Sequence, residues 1–338
     1  MTPADGRIAA MNQPIVIRQA TAADGPMLAA IERGSPLELQ DASIAIDRGD
    51  DYFASSRLMG SPTVLVAEVD GVPAGVIGGV VHAAPLGGEV RRMLYIHHAR
   101  ILPSYQNTGV GRRLSAALME HLKPGGYDSP YWYIARENAR SQAFARNAAN
   151  RWSFGPTWVT LDCAANAGPP YGRVAGPADA AQIVQILNAC HEGEEMFLPY
   201  TVESFTARLA RDPVQYGWPH VWRTDGAVVG VWPEGDWIAV SETDGSGEVT
   251  SSRGAGVLDY GFLPGAGEEA RALLRAWCGW LLERGMTSLD AFTSDGSRTR
   301  PLFDGLRCEL AVFDFWTPGL PEPAGAHGRG LYVDHVYF

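Results

Sequence analysis

Cysteine is scarce: the 338 residues hold only Cys163, Cys190, Cys278 and Cys308. No two of them form a Cys-x-x-Cys pair, so neither a zinc site nor a disulfide framework is indicated, no metal is expected, and the thiols read as reduced and buried. Long apolar runs are missing too. No stretch reaches the roughly eighteen residues that span a bilayer, and residues 1–13 lack the uninterrupted apolar centre of a signal peptide. The expectation is an unexported, cytoplasmic chain with a loose leader over 1–13. Positive charge is short as well: 27 Lys+Arg stand against 38 Asp+Glu, a net 27 − 38 = −11 with no basic run. That balance argues against nucleic acid or an anionic membrane as partner. The length allows about two domains, each able to bury a core.

What is present concentrates between Ile101 and Leu122. An apolar run, Met93 to Ile101, reads as a strand, and Leu114, Ala117, Leu118 and Leu122 then recur at helical spacing. Between them lies Gln106-Asn107-Thr108-Gly109-Val110-Gly111-Arg112, followed by Arg113. Gly109 and Gly111 relieve the Cβ restriction, so successive main-chain N–H groups can turn into one concavity with the open N–H groups of the helix's first turn. Such a nest binds anions, with a pyrophosphate as the natural guest, and Arg112 and Arg113 add positive charge. A Walker loop needs Gly-Lys-Ser/Thr, and a dinucleotide fingerprint needs a third glycine where Leu114 stands.

The spacing Gln106-x-x-Gly109-x-Gly111 resembles the acyl-CoA pyrophosphate loop of the GNAT acetyltransferase superfamily, and Ile101-Leu102-Pro103 resembles the end of that family's fourth strand. The resemblance implies an α+β fold, a mixed, mostly antiparallel sheet flanked by helices, with acetyl-CoA as acyl donor. It implies that main-chain N–H groups from Gln106, Asn107, Thr108, Gly109, Val110, Gly111, Arg112 and Arg113 hold the pyrophosphate. The strand edge at Ile101 and Leu102 would pair with the pantetheine arm. Where that strand splays from its neighbour, a main-chain N–H would polarise the thioester carbonyl. Asn138 matches the family's asparagine near the pantetheine and reads equally as an N-cap. The family's tyrosine, seven residues further on, is replaced by Ala145 after Phe144. Tyr131 and Tyr133 on the adjacent strand are the substitute hydroxyls, although core aromatics are the plainer reading. His97 and His98 are candidate bases, since strand alternation turns one of them toward the cleft.

Read in order, the chain gives a strand at Ile15 to Arg18 and a helix through Met27, Leu28 and Ile31. A second helix or an ordered loop is expected over 35–51. Strands follow at 63–69 and 74–82 about the turn Asp70-Gly71-Val72-Pro73, then one at 131–134, a helix over 137–149 and a strand over 152–161. Ala, Asn, Gly and Pro mark 162–171 as a linker between a first domain, 14–161, and a second, 172–338. The pattern then restarts. Arg18, Ala20 and Asp24 return as Arg173, Ala175 and Asp179, and Asp70-Gly71 returns as Asp225-Gly226; 173 − 18 and 225 − 70 both give 155. Leu102-Pro103 returns as Leu263-Pro264, an offset of 161, before a helix through Ala270, Leu273, Leu274, Trp277 and Leu281 that stops at Gly285. Two tandem GNAT domains are expected.

The second copy carries Glu268 and Glu269 where the first has Arg112 and Arg113, which disfavours a pyrophosphate there. Its tyrosine position falls near Phe303. The cluster His191-Glu192-Gly193-Glu194-Glu195 reads as a solvated helix end, with an entrance for a cationic amine as the alternative. Leu331 to Phe338 reads as a terminal strand that closes the second copy's own sheet, with the first copy's sheet as the alternative. The family resemblance implies an acyl-CoA-dependent N-acyltransferase with a small-molecule amine as acceptor, by direct transfer, as in tandem relatives of small-molecule and antibiotic biosynthesis. The alternative is a chain whose first copy holds acetyl-CoA structurally while the second binds another acyl-CoA, or one that binds CoA without turnover. Oligomeric state is not legible.

Overall fold

Thr63–Val69 is buried at nearly every position, and its period of two divides it between two cores. Leu65, Ala67 and Val69 pack with Val110, Leu114 and Leu118 of the helix Val110–Leu122. Val64 and Val66 pack with Leu28 and Ile31 of the helix Gly25–Arg33, which has Pro26 in its first turn. A helix thus covers each face of this strand. The computed structural model describes residues 14–38, 42–49 and 51–337, so the expected leader and Phe338 lie outside the described residues.

Contacts divide the chain into two compact units. The first runs up to His82, resumes over Arg92–Trp132 and is completed by Trp237–Ser251. Here Ile15–Gln19 pairs antiparallel with Thr63–Val69, Ile15 opposite Val69 and Gln19 opposite Leu65. A tight turn at Asp70 (φ 51°) and Gly71 (φ 75°) leads into Val72–Leu86, as the hairpin signal predicts. Glu89–Ile101 follows beside it. That strand then runs parallel to Ser129–Ala135 for three rungs only, Met93 to Tyr95 against Ser129 to Tyr131.

Among the described residues of 35–51 the expected second helix does not form. Leu37–Glu38 and Ala42–Asp47 are antiparallel strands, and Ala42–Asp47 pairs with Ala239–Asp244, which joins Val249–Ser252 in a four-stranded sheet. Ile44 and Ile46 alternate with Ser43 and Ala45, a period of two whose partner strand lies almost two hundred residues later.

The second unit comprises Ala83–Arg91, Tyr133–Asp236 and the chain from Ser252 on. In it Pro156–Asp162 is antiparallel to both Cys308–Thr317 and Ser288–Ser294. The sheet continues through Gly254–Phe262, Ala227–Trp232, Val221–Arg223 and Arg173–Val174. Helix Gly267–Leu282 buries Leu273, Leu274, Trp277 and Leu281 against it and stops at Gly285, in the left-handed region at φ 72°. All four cysteines lie in this unit and are free.

The division at 161 therefore does not coincide with the units: Pro156–Asp162 has both of its ladder partners in the C-terminal half, and Ala239–Asp244 has its partner in the N-terminal half. The segment 162–171, expected as a linker, is tied to its surroundings. Asp162 caps the turn Cys163–Asn166, and the Gly168 N–H donates to the Arg275 carbonyl at 2.8 Å. The closing strand expected at 331–338 is also replaced. Leu331 makes one isolated bridge to Glu195, and a 3-10 turn at His335–Tyr337 follows Asp334, which Arg208 grips at 2.8 Å.

Internal duplication is visible in geometry all the same. The second unit has its own three-rung parallel ladder, Gly254 to Gly256 against Ser288 to Asp290, displaced from Met93–Tyr95 by 254 − 93 = 161 residues. Both copies also make the same ion pair: Arg18 binds Asp24 at 2.8 Å, and Arg173 binds Asp179 at 2.8 Å. Arg18, with the Thr21 N–H, holds the Asp24 carboxyl well below the usual carboxylate range. That stability is present above about pH 4 and disappears as pH falls through the depressed folded value. Asp24→Asn should thus lose roughly 1 kcal/mol at pH 7, a figure held low because Arg18 is partly exposed, and urea titrations should show the deficit closing below about pH 4.

Candidate active site

The glycine loop is built as a nest. Asn107 (φ 64°) and Gly109 (φ 93°) take left-handed conformations, and helix Val110–Leu122 starts directly after Gly109. Of the N–H groups expected to face a diphosphate, three are used internally. Gln106 donates to Pro103, Thr108 to Tyr105 and Arg113 to Gly109. Those of Asn107, Gly109, Val110, Gly111 and Arg112 have no hydrogen-bond partner among the described residues. A side chain at Gly109 would meet nothing within 4 Å, so its φ, and not crowding, demands glycine. Arg112 and Arg113 are exposed and make no ion pair among the described residues.

The adjoining strand end offers less edge than expected. Leu102 N–H donates to the Ala74 carbonyl, Leu102 O accepts from Tyr105 N–H, and Ile101 O accepts from Gln106 Nε2 at 3.0 Å. The opening lies further back. The ladder to the parallel neighbour stops at Tyr95, and three residues later His98 sits at φ 49°. A left-handed histidine inside a strand is strained, and the twist it imposes re-aims the adjacent main-chain groups.

Neither histidine is poised as a base. Arg48 Nη2 lies 2.8 Å from His98 Nε2, and a guanidinium only donates, so that lone pair is occupied. Burial and the Arg48 charge hold His98 well below the ordinary imidazole value. His97 is 5% exposed with both nitrogens unpartnered among the described residues, and burial first, Arg48 second, pushes it down to about 3. Around them runs a chain of rings that sequence patterns do not reveal. His82 Nε2 meets the Tyr131 hydroxyl at 2.7 Å, Tyr131 packs on Tyr95, Tyr95 on His97, and His97 on His98 at 4.6 Å between centroids. Arg48, bound to Glu32 at 2.6 Å, closes the chain. Arg48 carries no local signal, because it follows the strand Ala42–Asp47, whose partner lies far off in the sequence.

In the second unit Asn138 accepts the Ser141 N–H at 3.0 Å, as the N-cap reading predicts. Ala145 is buried and Phe144 exposed, so no hydroxyl stands at that position. Tyr133 packs on Phe315. The acidic cluster is solvated only at Glu192 and Gly193. His191, Glu194 and Glu195 are buried: Glu194 meets His191 Nδ1 at 2.9 Å and accepts from Ser297, while Glu195 accepts the Gly87 N–H at 2.8 Å and pairs with Arg329. With partners in place they cannot draw in an amine. Glu268 pairs with Arg271 at the head of helix Gly267–Leu282. At the ladder end, where the first unit has Tyr95, Gly256 makes room for the buried His335 imidazole, with which any Cβ there would collide.

Residues 35–149 match the model of the Acetyltransferase (GNAT) family. No curated protein matches the chain by sequence. Among solved structures, N-myristoyltransferase of Saccharomyces cerevisiae with bound myristoyl-CoA is similar at TM-score 0.62 and 11% identity, over 96% of this chain and 87% of that one. A GCN5-related N-acetyltransferase from Sphaerobacter thermophilus is similar at TM-score 0.54 and 15% identity, over 91% of this chain and 98% of that one. At such identity the likeness establishes the fold. No helix among the described residues is long and apolar enough to cross a membrane.

Proposed function

We propose, for a chain whose residues 35–149 match the model of the Acetyltransferase (GNAT) family, an acyl-CoA-dependent N-acyltransferase that moves an acetyl group directly onto a small-molecule amine. The observation that carries the reading is the run of open N–H groups from Gly109 to Arg112 at the head of a helix flanked by Arg112 and Arg113. Those groups would grip the diphosphate, and main-chain N–H groups near His98 would meet the thioester carbonyl. The amine nitrogen attacks that carbon, the C–S bond breaks, and the CoA thiolate leaves with the proton the nitrogen gives up. With every thiol in the other unit, no acyl-cysteine intermediate is invoked. The overall resemblance of the sequence to the tandem GNAT protein encoded with clavulanic acid biosynthesis would place the acceptor in antibiotic biosynthesis.

The second reading, a structural acetyl-CoA in the first copy and transfer in the second, gains nothing from Glu268, Glu269 and His335. Native mass spectrometry of the protein as isolated, then with acetyl-, propionyl- and myristoyl-CoA, separates the two. One acyl-CoA per chain, consumed when amines are added, is the expected result. Two per chain, with only the second consumed, would reverse the assignment, and none bound would remove both.

A further inference from the structure

His98 is held in an unfavourable conformation by something outside its own strand. Its φ of 49° belongs to a region that non-glycine residues avoid, and its main chain sits where the parallel ladder has already ended. The side chain supplies the anchor. Arg48, 5% exposed, binds Glu32 through Nε at 2.6 Å and Nη2 at 3.3 Å, donates Nη1 to Ser55 Oγ at 3.1 Å, and places Nη2 2.8 Å from His98 Nε2. Glu32, 1% exposed, comes from the helix Gly25–Arg33 and cannot move without breaking that helix's packing.

Arg48 itself is delivered by the strand Ala42–Asp47, whose register is set by Ala239–Asp244, with Asp47 opposite Ala239. The first unit's site is therefore aligned through a strand from the C-terminal half, one that the same unit has taken up.

We propose that Arg48 is a positioning residue: by capturing His98 Nε2 it holds the left-handed step in the strand, and so keeps the flanking main-chain N–H groups aimed at the donor's thioester carbonyl. This rests on the acyl-CoA reading above. Arg48 touches neither donor nor acceptor in this role. Because it donates to Nε2, it also fixes the His98 proton on Nδ1, which reports the contact, whereas the polarisation of the donor's carbonyl reports the positioning. The groups facing His98 are Arg48, His97 and Arg100, with the Tyr52 ring alongside.

Two spectroscopic readings test this without a known acceptor. In the wild-type protein, 15N-histidine NMR should find His98 as the Nδ1–H tautomer, and isotope-edited infrared of [1-13C]acetyl-CoA should show the bound carbonyl stretch shifted to lower frequency than in water. The Glu32→Met/Arg48→Met double variant removes both buried charges together, a change that cores commonly tolerate. It should bind acetyl-CoA as the wild type does, yet lose the carbonyl shift and the fixed tautomer. Should that variant not fold, Glu32→Gln/Arg48→Met, which likewise leaves neither a buried charge nor the arginine donor on His98 Nε2, carries the same readings. A variant that retains the shift, or a wild type with the proton on Nε2, overturns the positioning role alone. A wild type that binds no acetyl-CoA overturns the function beneath it.

Discussion

A Gly109→Val chain should bind acetyl-CoA about 100-fold more weakly than the wild type in calorimetry, a loss of roughly 2.7 kcal/mol. At φ 93° a β-branched residue is forced out of the conformation that starts the helix, and the N–H groups of Val110, Gly111 and Arg112 lose their common direction. Gly265, at φ 89°, occupies the matching turn of the second copy. Gly265→Val carries a similar backbone strain there, so it should cost stability and leave affinity for the thioester unchanged. Reversing Arg112 and Arg113 to Glu should weaken binding as well and flatten its dependence on salt. Equal loss from the two glycine variants would assign the effect to general destabilisation, and no loss from Gly109→Val would remove the cradle from the mechanism.

The second large effect concerns stability. Asp259 is 0% exposed and accepts from Tyr200 at 2.8 Å, Tyr216 at 2.6 Å and Arg208 at 3.0 Å. Arg208 in turn holds Asp334, and through it the turn at His335–Tyr337. Truncation by Asp259→Ala strands two phenols and half the partnership of a buried guanidinium. Breaking such a pair from one side costs about 3–5 kcal/mol, which in a chain this size lowers Tm by roughly 4–7 °C. Differential scanning calorimetry should show that drop, with a smaller one for Asp259→Asn, which keeps the shape and two of the acceptor contacts. A Tm within a degree of wild type would mean the node is dispensable.

The elements that sequence exposed were those whose signal is local. Leu114 and Leu118 at helical spacing, Asp70-Gly71 between β-branched runs, and Gly109 before a helix each state their structure within a few residues. Asn138 as a cap and Gly285 as a stop belong with them. The failures share the opposite cause. Ala42–Asp47 could be read as a strand only by knowing that Ala239–Asp244 lies beside it. His97 and His98 are visible as residue types, yet one is silenced by burial and the other by Arg48, which the fold brings from 50 residues away. Likewise the carboxylates of Glu194 and Glu195 turn inward because Gly193 (φ 84°) and Met196 (φ 69°) fold the segment back on itself, which charge content alone hides.

Ala239–Asp244 completes a sheet begun at Leu37, and this has a bearing on biosynthesis. As the ribosome extends the chain, the early unit stays one layer short until residues beyond 244 leave the exit tunnel, after most of the later sequence has been translated. Until that moment the backbone of Ala42–Asp47 has an open side, and a chaperone or a neighbouring nascent chain can reach it.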